Sequence, residues 1–216
     1  GQRTGLGEYT INMIKALMAS RPQEHKLTIA TDRHVEPEVT GQGLEYKVIP
    51  GRYRTQVFRE QFQIPAYAAF WGMDLIYSFA APLPKYRTCK GVFTLHDVWR
   101  LKVREDSNDR YIMRYHKQSA LGADVVVTVS EFSKREICEL LDIDPAKVTV
   151  IYPGPSQGVV PQDRELARQI VKNCGIERPY LFTLSDLSPR KKLDLLLEAM
   201  PLVEQGYDLV VARQSK

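Results

Sequence analysis

The stretch "DVVVTVSEFSKREICELLDIDPAKVTVIYP" (residues 124–153) decides the fold class. It begins and ends with apolar runs, at 124–130 and 147–153, which are continuous rather than alternating, as is typical of parallel strands covered on both faces. Between them lies a helical pattern whose start shows the capping-box spacing, from Ser133 to Glu136. The apolar face of this helix consists of Ile137, Leu140 and Leu141. The stretch therefore predicts two parallel strands joined by a helix.

The same alternation continues toward the N-terminus. Further strand-like runs lie at 26–31, 45–50, 74–79 and 90–96. Near the start of the chain an amphipathic helix places Ile14, Leu17 and Met18 on one face. Strands that alternate with helices predict an α/β fold with a Rossmann-like, doubly wound parallel sheet.

A segment dense in proline and glycine, "YPGPSQGVVPQDRE" (152–165), indicates a domain boundary. We expect an N-terminal domain at 1–155, and at 156–216 a linker with the truncated start of a second Rossmann-like domain. In the second part, helices are predicted at about 163–173 and 191–205, and strands at 180–185 and 207–212. Two strands are too few for an independent sheet. Because no strand precedes the first helix either, we expect that the first strand of the N-terminal domain is missing.

Composition narrows the classes of function. The chain has 216 residues with 44% hydrophobic composition, which suffices for a sizeable core. It has no apolar run of about 18 residues and no charged-then-apolar leader, so we expect a cytoplasmic protein. The net charge of +4 suits an anionic ligand or an acidic membrane surface, whereas the 26 interleaved acidic residues argue against nucleic acid as a partner. Neither the three cysteines nor the histidines form a metal motif.

Two glycines, Gly5 and Gly7, lie where the first helix begins. Glycines let a ligand approach the backbone, and the amides of a first helical turn favour an anion. A plain loop before a helix would have the same sequence. A dinucleotide fingerprint needs a third glycine where this chain has Thr10, so NAD is not indicated.

Two further candidates follow predicted strands. His96 and Asp97 lie at the end of the run 90–96, where ligands of open α/β sheets bind. The imidazole could donate to a sugar hydroxyl and the carboxylate could hold it or take a proton, or the histidine could simply bond to backbone. Ser130 follows the next strand, and a serine there is first of all a helix cap.

Two basic stretches also stand out. Arg190 and Lys191 precede a predicted helix, where cations oppose the macrodipole unless they share an anion with the helix start. A solvated basic turn is the ordinary interpretation. The run "GRYRTQVFRE" (51–60) mixes arginines with aromatic residues. It could be an acceptor-facing or membrane-facing loop, or plain exposed surface.

Five motifs in order resemble those of one family: "TGLGEYTINMIKAL", "LHDVW", "VVVTVSEFSKREICELL", "KVTVIYPGP" and "YLFTLSDLSPRKKLDLLLEAM". Their order through nearly the whole chain is similar to that of the retaining nucleotide-sugar glycosyltransferases of group 1, which have the GT-B architecture of two facing Rossmann-like domains. The resemblance implies transfer of a hexose from a nucleoside-diphosphate sugar to a saccharide or glycolipid acceptor, with no metal or other cofactor required. It also implies work at the inner membrane face with peripheral attachment.

The resemblance assigns roles to the candidates. Gly5 and Gly7 match the glycine loop that faces the cleft between the domains. His96 matches the histidine that contacts the transferred sugar, with Asp97 beside it, and these two are the expected catalytic residues. Ser130 matches the cleft floor. The basic motif that neutralises the donor diphosphate corresponds to Arg190 and Lys191.

Two departures bear on activity. Many members have Gly-Arg where this chain has Ser185-Asp186, and the family's paired glutamates would lie beyond Lys216. We therefore expect the fragment to be inactive and the complete protein to be an enzyme. Two alternatives stay open: a non-catalytic protein of the same fold that binds a sugar or a partner, and a nucleotide-sugar epimerase or phosphorylase-like enzyme.

Overall fold

The computed structural model describes residues 5–20, 24–31, 44–49, 56–102, 107–155, 160–161, 163–185, 191–203 and 206–212. These residues fall into two compact units, which lie within Arg3–Gln157 and Gly158–Lys216. The division lies at 157/158, and the sequence predicted it at 155/156. That each unit is a domain of the protein stays a prediction.

Strands and helices alternate along the described chain. The strands are β1 Leu27–Thr31, β2 Leu44–Val48, β3 Leu75–Ser78, β4 Lys90–Thr94, β5 Val125–Thr128, β6 Val148–Val150, β7 Tyr180–Leu184 and β8 Asp208–Ala212. The helices are α1 Gly5–Ser20, α2 Gln56–Phe58, α3 Ile64–Phe70, α4 Trp99–Lys102, α5 Ser107–Gly122, α6 Glu131–Leu141, α7 Arg164–Asn173 and α8 Leu193–Ala199. A π-helical turn, Arg59–Gln63, joins α2 to α3, and 3₁₀ turns lie at Pro145–Lys147 and Met200–Leu202.

All strand pairs in the described residues are parallel. The larger unit holds the pair β1–β2 and a four-stranded sheet in the order β3-β4-β5-β6, and the smaller unit holds the pair β7–β8. Each predicted strand run contains one of these strands, apart from Leu44, which begins β2 one residue early. The α/β class with Rossmann-like parallel sheets is confirmed.

The core of the larger unit lies between the four-stranded sheet and helices α5 and α6. Phe93 of β4 is opposite Val126 of β5, and both are fully buried. They pack with apolar side chains from the two helices and from the segments that follow them: Ala120, Ala123, Ile137, Leu141 and Ile143. Because side chains alternate along a strand, Thr94 faces the opposite side of the sheet.

The smaller unit has no such core among its described residues. Phe182 and Leu184 of β7 are 58% and 71% exposed, and Leu202 after α8 is 88% exposed. A pair of strands without a third neighbour does not bury these apolar side chains.

Four local expectations were wrong. Helix α6 begins at Glu131, and its cap is Ser130, whose Oγ accepts a hydrogen bond of 3.0 Å from the Ser133 amide; the capping box at Ser133 and Glu136 does not form there. Leu140 is 42% exposed, since the buried face turns through Ile137 and Leu141.

The helix predicted at 191–205 is the shorter α8, followed by a 3₁₀ turn that contains Pro201, because proline removes a helical hydrogen bond. The stretch at 51–60 is not a loop over its described residues. It is helical from Gln56, with Phe58 and Phe62 stacked at 5.4 Å between ring centroids.

Candidate active site

His96 lies just beyond β4, at the carboxyl edge of the four-stranded sheet, and its half-buried ring has two well-defined neighbours. Its Nε2 is 3.2 Å from the carbonyl oxygen of Phe79, which follows β3. The ring of Tyr9 on α1 meets it edge-to-face, with centroids 4.6 Å apart and an angle of 81° between the planes. Three elements, α1, β3 and β4, therefore fix this imidazole.

The contact with Phe79 determines which ring nitrogen of His96 remains for a further hydrogen bond. A carbonyl oxygen can only accept, so Nε2 carries the proton and donates it. Burial lowers the pKa of His96, with the Phe79 carbonyl and the Asp97 charge opposing that shift, so the ring is neutral at pH 7. In a neutral imidazole the second nitrogen is then an acceptor. The structure thus leaves Nδ1 of His96 as an acceptor, whereas the sequence suggested a donor, and a contact of His96 with a ligand stays a prediction.

Hydroxyl groups cluster on the same face of the sheet. Thr94 Oγ1 donates to the Tyr77 hydroxyl at 3.2 Å, and the rings of Tyr77 and Phe79 lie 4.2 Å apart. Tyr9 is the buried residue of α1, and its hydroxyl lies near enough to Thr94 and Tyr77 for both to affect its pKa. Burial raises the pKa of Tyr77 to about 12 and also raises the pKa of Tyr9, so both phenols stay protonated.

Asp97 is exposed, and its carboxylate caps a helix. Its Oδ1 accepts a hydrogen bond of 3.0 Å from the Trp99 amide at the start of α4. Its charge raises the pKa of the neighbouring His96 as the smallest of the three contributions. Within the described residues, Asp97 makes no hydrogen bond to the imidazole. Its expected catalytic role stays a prediction.

Ser130 lies after β5, the next strand in the sheet, and is half-buried. Besides accepting from the Ser133 amide, its Oγ donates to the Ser133 hydroxyl at 3.0 Å. This is the capping role that the sequence gave as the ordinary alternative. The position at the carboxyl edge of the sheet is as predicted, while a ligand contact for Ser130 stays a prediction.

The two glycines belong to α1 and not to a loop, since the helix starts at Gly5 and Gly7 is its third residue. A Cβ at Gly5 would meet no atom within 4 Å, so the described structure does not require glycine there. Tyr9 comes one helical turn after Gly5 on the same helix face, because residues four apart are neighbours on a helix. Gly5 and Gly7 thus lie on the helix that contacts His96.

The basic motif lies in the smaller unit and is described in part. Lys191 is exposed and directly precedes the cap of α8, Lys192, which has left-handed backbone angles, with φ 51°. Arg190 and Asp186 lie outside the described residues. Ser185 is buried, and its amide donates to the Ala212 carbonyl at 3.1 Å.

Sequence reasoning missed the two groups that contact His96, which are Tyr9 and the Phe79 carbonyl, and the hydroxyls of Tyr77 and Thr94 beside Tyr9. The signal for Tyr9 was its helical spacing from Gly5, and the signal for the others was their position at strand ends. Over the parts of the chain that the structure describes, no three His, Cys, Asp or Glu residues come together as a metal site would require. Nor is any described helix long and apolar enough to cross a membrane.

Residues 3–155 match the sequence profile of Glycosyltransferase Family 4. Two curated relatives are similar over 93% of this chain. O-antigen chain mannosyltransferase B of Escherichia coli is 22% identical over 57% of its own length. D-inositol 3-phosphate glycosyltransferase of Nocardioides sp. (strain ATCC BAA-499 / JS614) is 24% identical over 49% of its length. The chain thus spans about half the length of the curated relatives it matches.

Two solved structures share the fold. The crystal structure of Anabaena Alr3699/HepE in complex with UDP and glucose superimposes with a TM-score of 0.66 at 15% identity, over 99% of this chain and 59% of that one. A glycosyltransferase from Rickettsia africae ESF-5 gives a TM-score of 0.57 at 17% identity, over 97% of this chain and 57% of that one.

Proposed function

Because this chain belongs to Glycosyltransferase Family 4, we propose that the protein transfers a hexose from a nucleoside-diphosphate sugar to a hydroxyl of a saccharide or glycolipid, with retention at the anomeric carbon. The observation that carries the proposal is the arrangement at His96. A neutral imidazole, held by Phe79 and Tyr9 at the carboxyl edge of a parallel sheet, lies where open α/β sheets bind their ligands.

In this proposal His96 orients the transferred sugar. Its Nδ1 accepts a hydrogen bond from a sugar hydroxyl, while Nε2 stays bound to the Phe79 carbonyl. A ring held from two sides loses little freedom when the sugar binds, which favours a productive geometry. Asp97 supports the site through its charge and by capping α4.

The leaving diphosphate needs positive charge, which we assign to Arg190 and Lys191. The Lys191 side chain is exposed, so its ammonium is accessible to a ligand. Charge-assisted hydrogen bonds of this kind contribute about 1.5–3 kcal/mol each, so two such side chains could replace a metal ion. That the related HepE structure holds UDP and glucose supports a nucleotide-sugar donor.

For the acceptor we propose a saccharide or glycolipid of surface-polysaccharide assembly, as the name of the Escherichia coli relative suggests. The net charge of +4 suits peripheral contact with an acidic membrane surface, at the cytoplasmic face where nucleotide sugars would be available.

The test uses the full-length protein with a panel of labelled nucleotide sugars and saccharide or lipid-linked acceptors. Removal of one charge-assisted hydrogen bond predicts that Lys191→Ala lowers kcat/KM by about 10- to 100-fold. Lys172→Ala is the matched control, because Lys172 is an exposed lysine on α7 of the same unit. NMR of the product should show the anomeric configuration of the donor.

Several outcomes would contradict parts of the proposal. Transfer that is unchanged in Lys191→Ala would overturn the diphosphate assignment. Inverted product would overturn retention. Conversion of the donor to its epimer without transfer would favour an epimerase, and sugar binding without any turnover would favour a binding protein of the same fold.

A further inference from the structure

Tyr9 is the residue through which the first helix contacts the sheet at the candidate site. It is the buried residue among the described side chains of α1, with 9% exposure. Its ring meets His96 edge-to-face at 4.6 Å, and its hydroxyl lies next to those of Thr94 and Tyr77. One side chain therefore contacts both the imidazole and the sheet beneath it.

The Tyr9 hydroxyl is buried but has no well-formed hydrogen bond to any described group. Thr94 and Tyr77, which bond to each other at 3.2 Å, lie close enough to the Tyr9 hydroxyl for both to lower its pKa. Each of the three hydroxyls can both donate and accept, so small rotations would link them in one chain. An apolar residue would fill this position without burying a hydroxyl, so the phenol indicates more than packing.

The His96 ring needs such support, because it makes one hydrogen bond to a described residue, through Nε2 to Phe79. One hydrogen bond by itself leaves the imidazole ring able to rotate about its side-chain bonds. The edge-to-face contact with Tyr9 opposes that rotation, and aromatic pairs of this geometry contribute about 0.5–1.5 kcal/mol beyond their buried area.

We propose that Tyr9 is a positioning residue, whose ring holds the His96 imidazole with Nε2 donating to Phe79 and Nδ1 left to accept a ligand hydroxyl. The part of this inference that concerns a sugar hydroxyl rests on the proposed function, whereas the part that concerns the orientation of His96 does not.

The first experiment is NMR of the imidazole nitrogens and their protons in the full-length protein without substrate. In the wild type we expect an Nε2–H proton of His96 that exchanges slowly with water. Tyr9→Leu should abolish that protected signal and raise the pKa of His96 toward the ordinary value of about 6.5. Tyr9→Phe keeps the ring and should retain the signal. Tyr67→Phe, which changes a tyrosine stacked on Trp71, is the matched control.

A protected Nε2–H signal that survives in Tyr9→Leu would overturn the proposal, as would a wild-type His96 that carries its proton on Nδ1. Should Tyr9→Leu fail to fold, Tyr9→Met takes its place, because the flexible methionine side chain adapts to irregular packing and has no ring. The same two results would decide the matter in that variant.

The second experiment is a double-mutant cycle on transfer activity. If Tyr9 acts through His96, Tyr9→Leu should lower kcat/KM about 3- to 10-fold in the wild type and cause no further loss in a His96→Ala background. Equal losses in both backgrounds would mean a merely structural role and would overturn the proposal. The NMR result is independent of activity, so a failure of the proposed function can be told apart from a failure of this one.

Discussion

The start of β5 carries an ion cluster at the edge of the sheet opposite to His96, and its removal gives a quantitative test of the fold. Asp124 accepts hydrogen bonds from the Gly91 amide at 2.8 Å, from Lys90 at 2.9 Å and from Arg87 at 3.2 Å. Together these contacts hold the pKa of the Asp124 carboxyl well below its usual range. The cluster ties β5 to β4 and to the segment before it.

The magnitude of Asp124→Ala follows from the exposure of each contact. The bond to the Gly91 amide contributes about 1–1.5 kcal/mol. The two ion pairs involve a side chain that is 35% exposed, so solvent screening reduces each to about 0.2–1 kcal/mol. We expect a loss of about 1.5–3 kcal/mol, or roughly 4–10 °C in Tm for a unit of this size.

The assay is thermal and urea unfolding of the variant and the wild type between pH 3 and 8. Because the folded pKa of Asp124 is depressed, its stabilisation is complete above the unfolded pKa of about 3.9 and is lost as the pH falls toward the folded value. The difference between the two proteins should be constant from pH 5 to 8 and shrink below pH 4. Glu45→Ala is the control, since Glu45 is an exposed carboxylate paired with Lys47. A loss no larger than in this control, or one independent of pH, would refute the reasoning.

Three further predictions concern single positions. Gly91→Ala places a Cβ about 2.5 Å from Arg87 Nε, and that Arg87 side chain is only 11% exposed and is bound to Asp124. The free energy of unfolding in urea should therefore fall by about 1–2 kcal/mol, and by less in an Asp124→Ala background. Ser130→Ala removes the cap of α6 and should lower the free energy of unfolding by about 0.5–2 kcal/mol, whereas an unchanged value would mean that water replaces the cap. Because the pKa of His96 is lowered in the folded state, the unfolded state binds more protons just below pH 6.5, and stability should fall as the pH drops from 7.5 to 5.5. In His96→Gln the Tm should depend less on pH over this range. Equal slopes in the variant and the wild type would contradict the assignment.

The strands could be predicted because apolar runs such as 124–130 serve one physical purpose, burial on both faces of a parallel sheet. The cap of α6 could not be placed as well, since Ser130 and Ser133 both suit a helix start and the choice depends on where the strand before them ends. Leu140 was misassigned because the helical period leaves it at the margin of the apolar face, where packing in the folded protein decides its exposure.

The position of His96 at a strand end could be predicted from the sequence, and its neighbours could not. That His96 follows a strand is visible in the sequence, but its neighbours come from α1 and β3, far along the chain. The carbonyl of Phe79 is a backbone group, so the type of residue at this position does not indicate its role. Tyr9 was not singled out in the first helix, because its contact with His96 exists only once the sheet has formed.

The most direct test of the central claim is the rate at which the full-length protein releases nucleoside diphosphate from its sugar nucleotide in the presence of acceptor. The account predicts a rate that falls at least tenfold in His96→Ala, through loss of a hydrogen bond to the sugar, and is unchanged in His116→Gln, whose ring contacts Phe93 on the opposite face of the sheet. Equal rates in the two variants would contradict the account, because His96 would then have no part in the reaction.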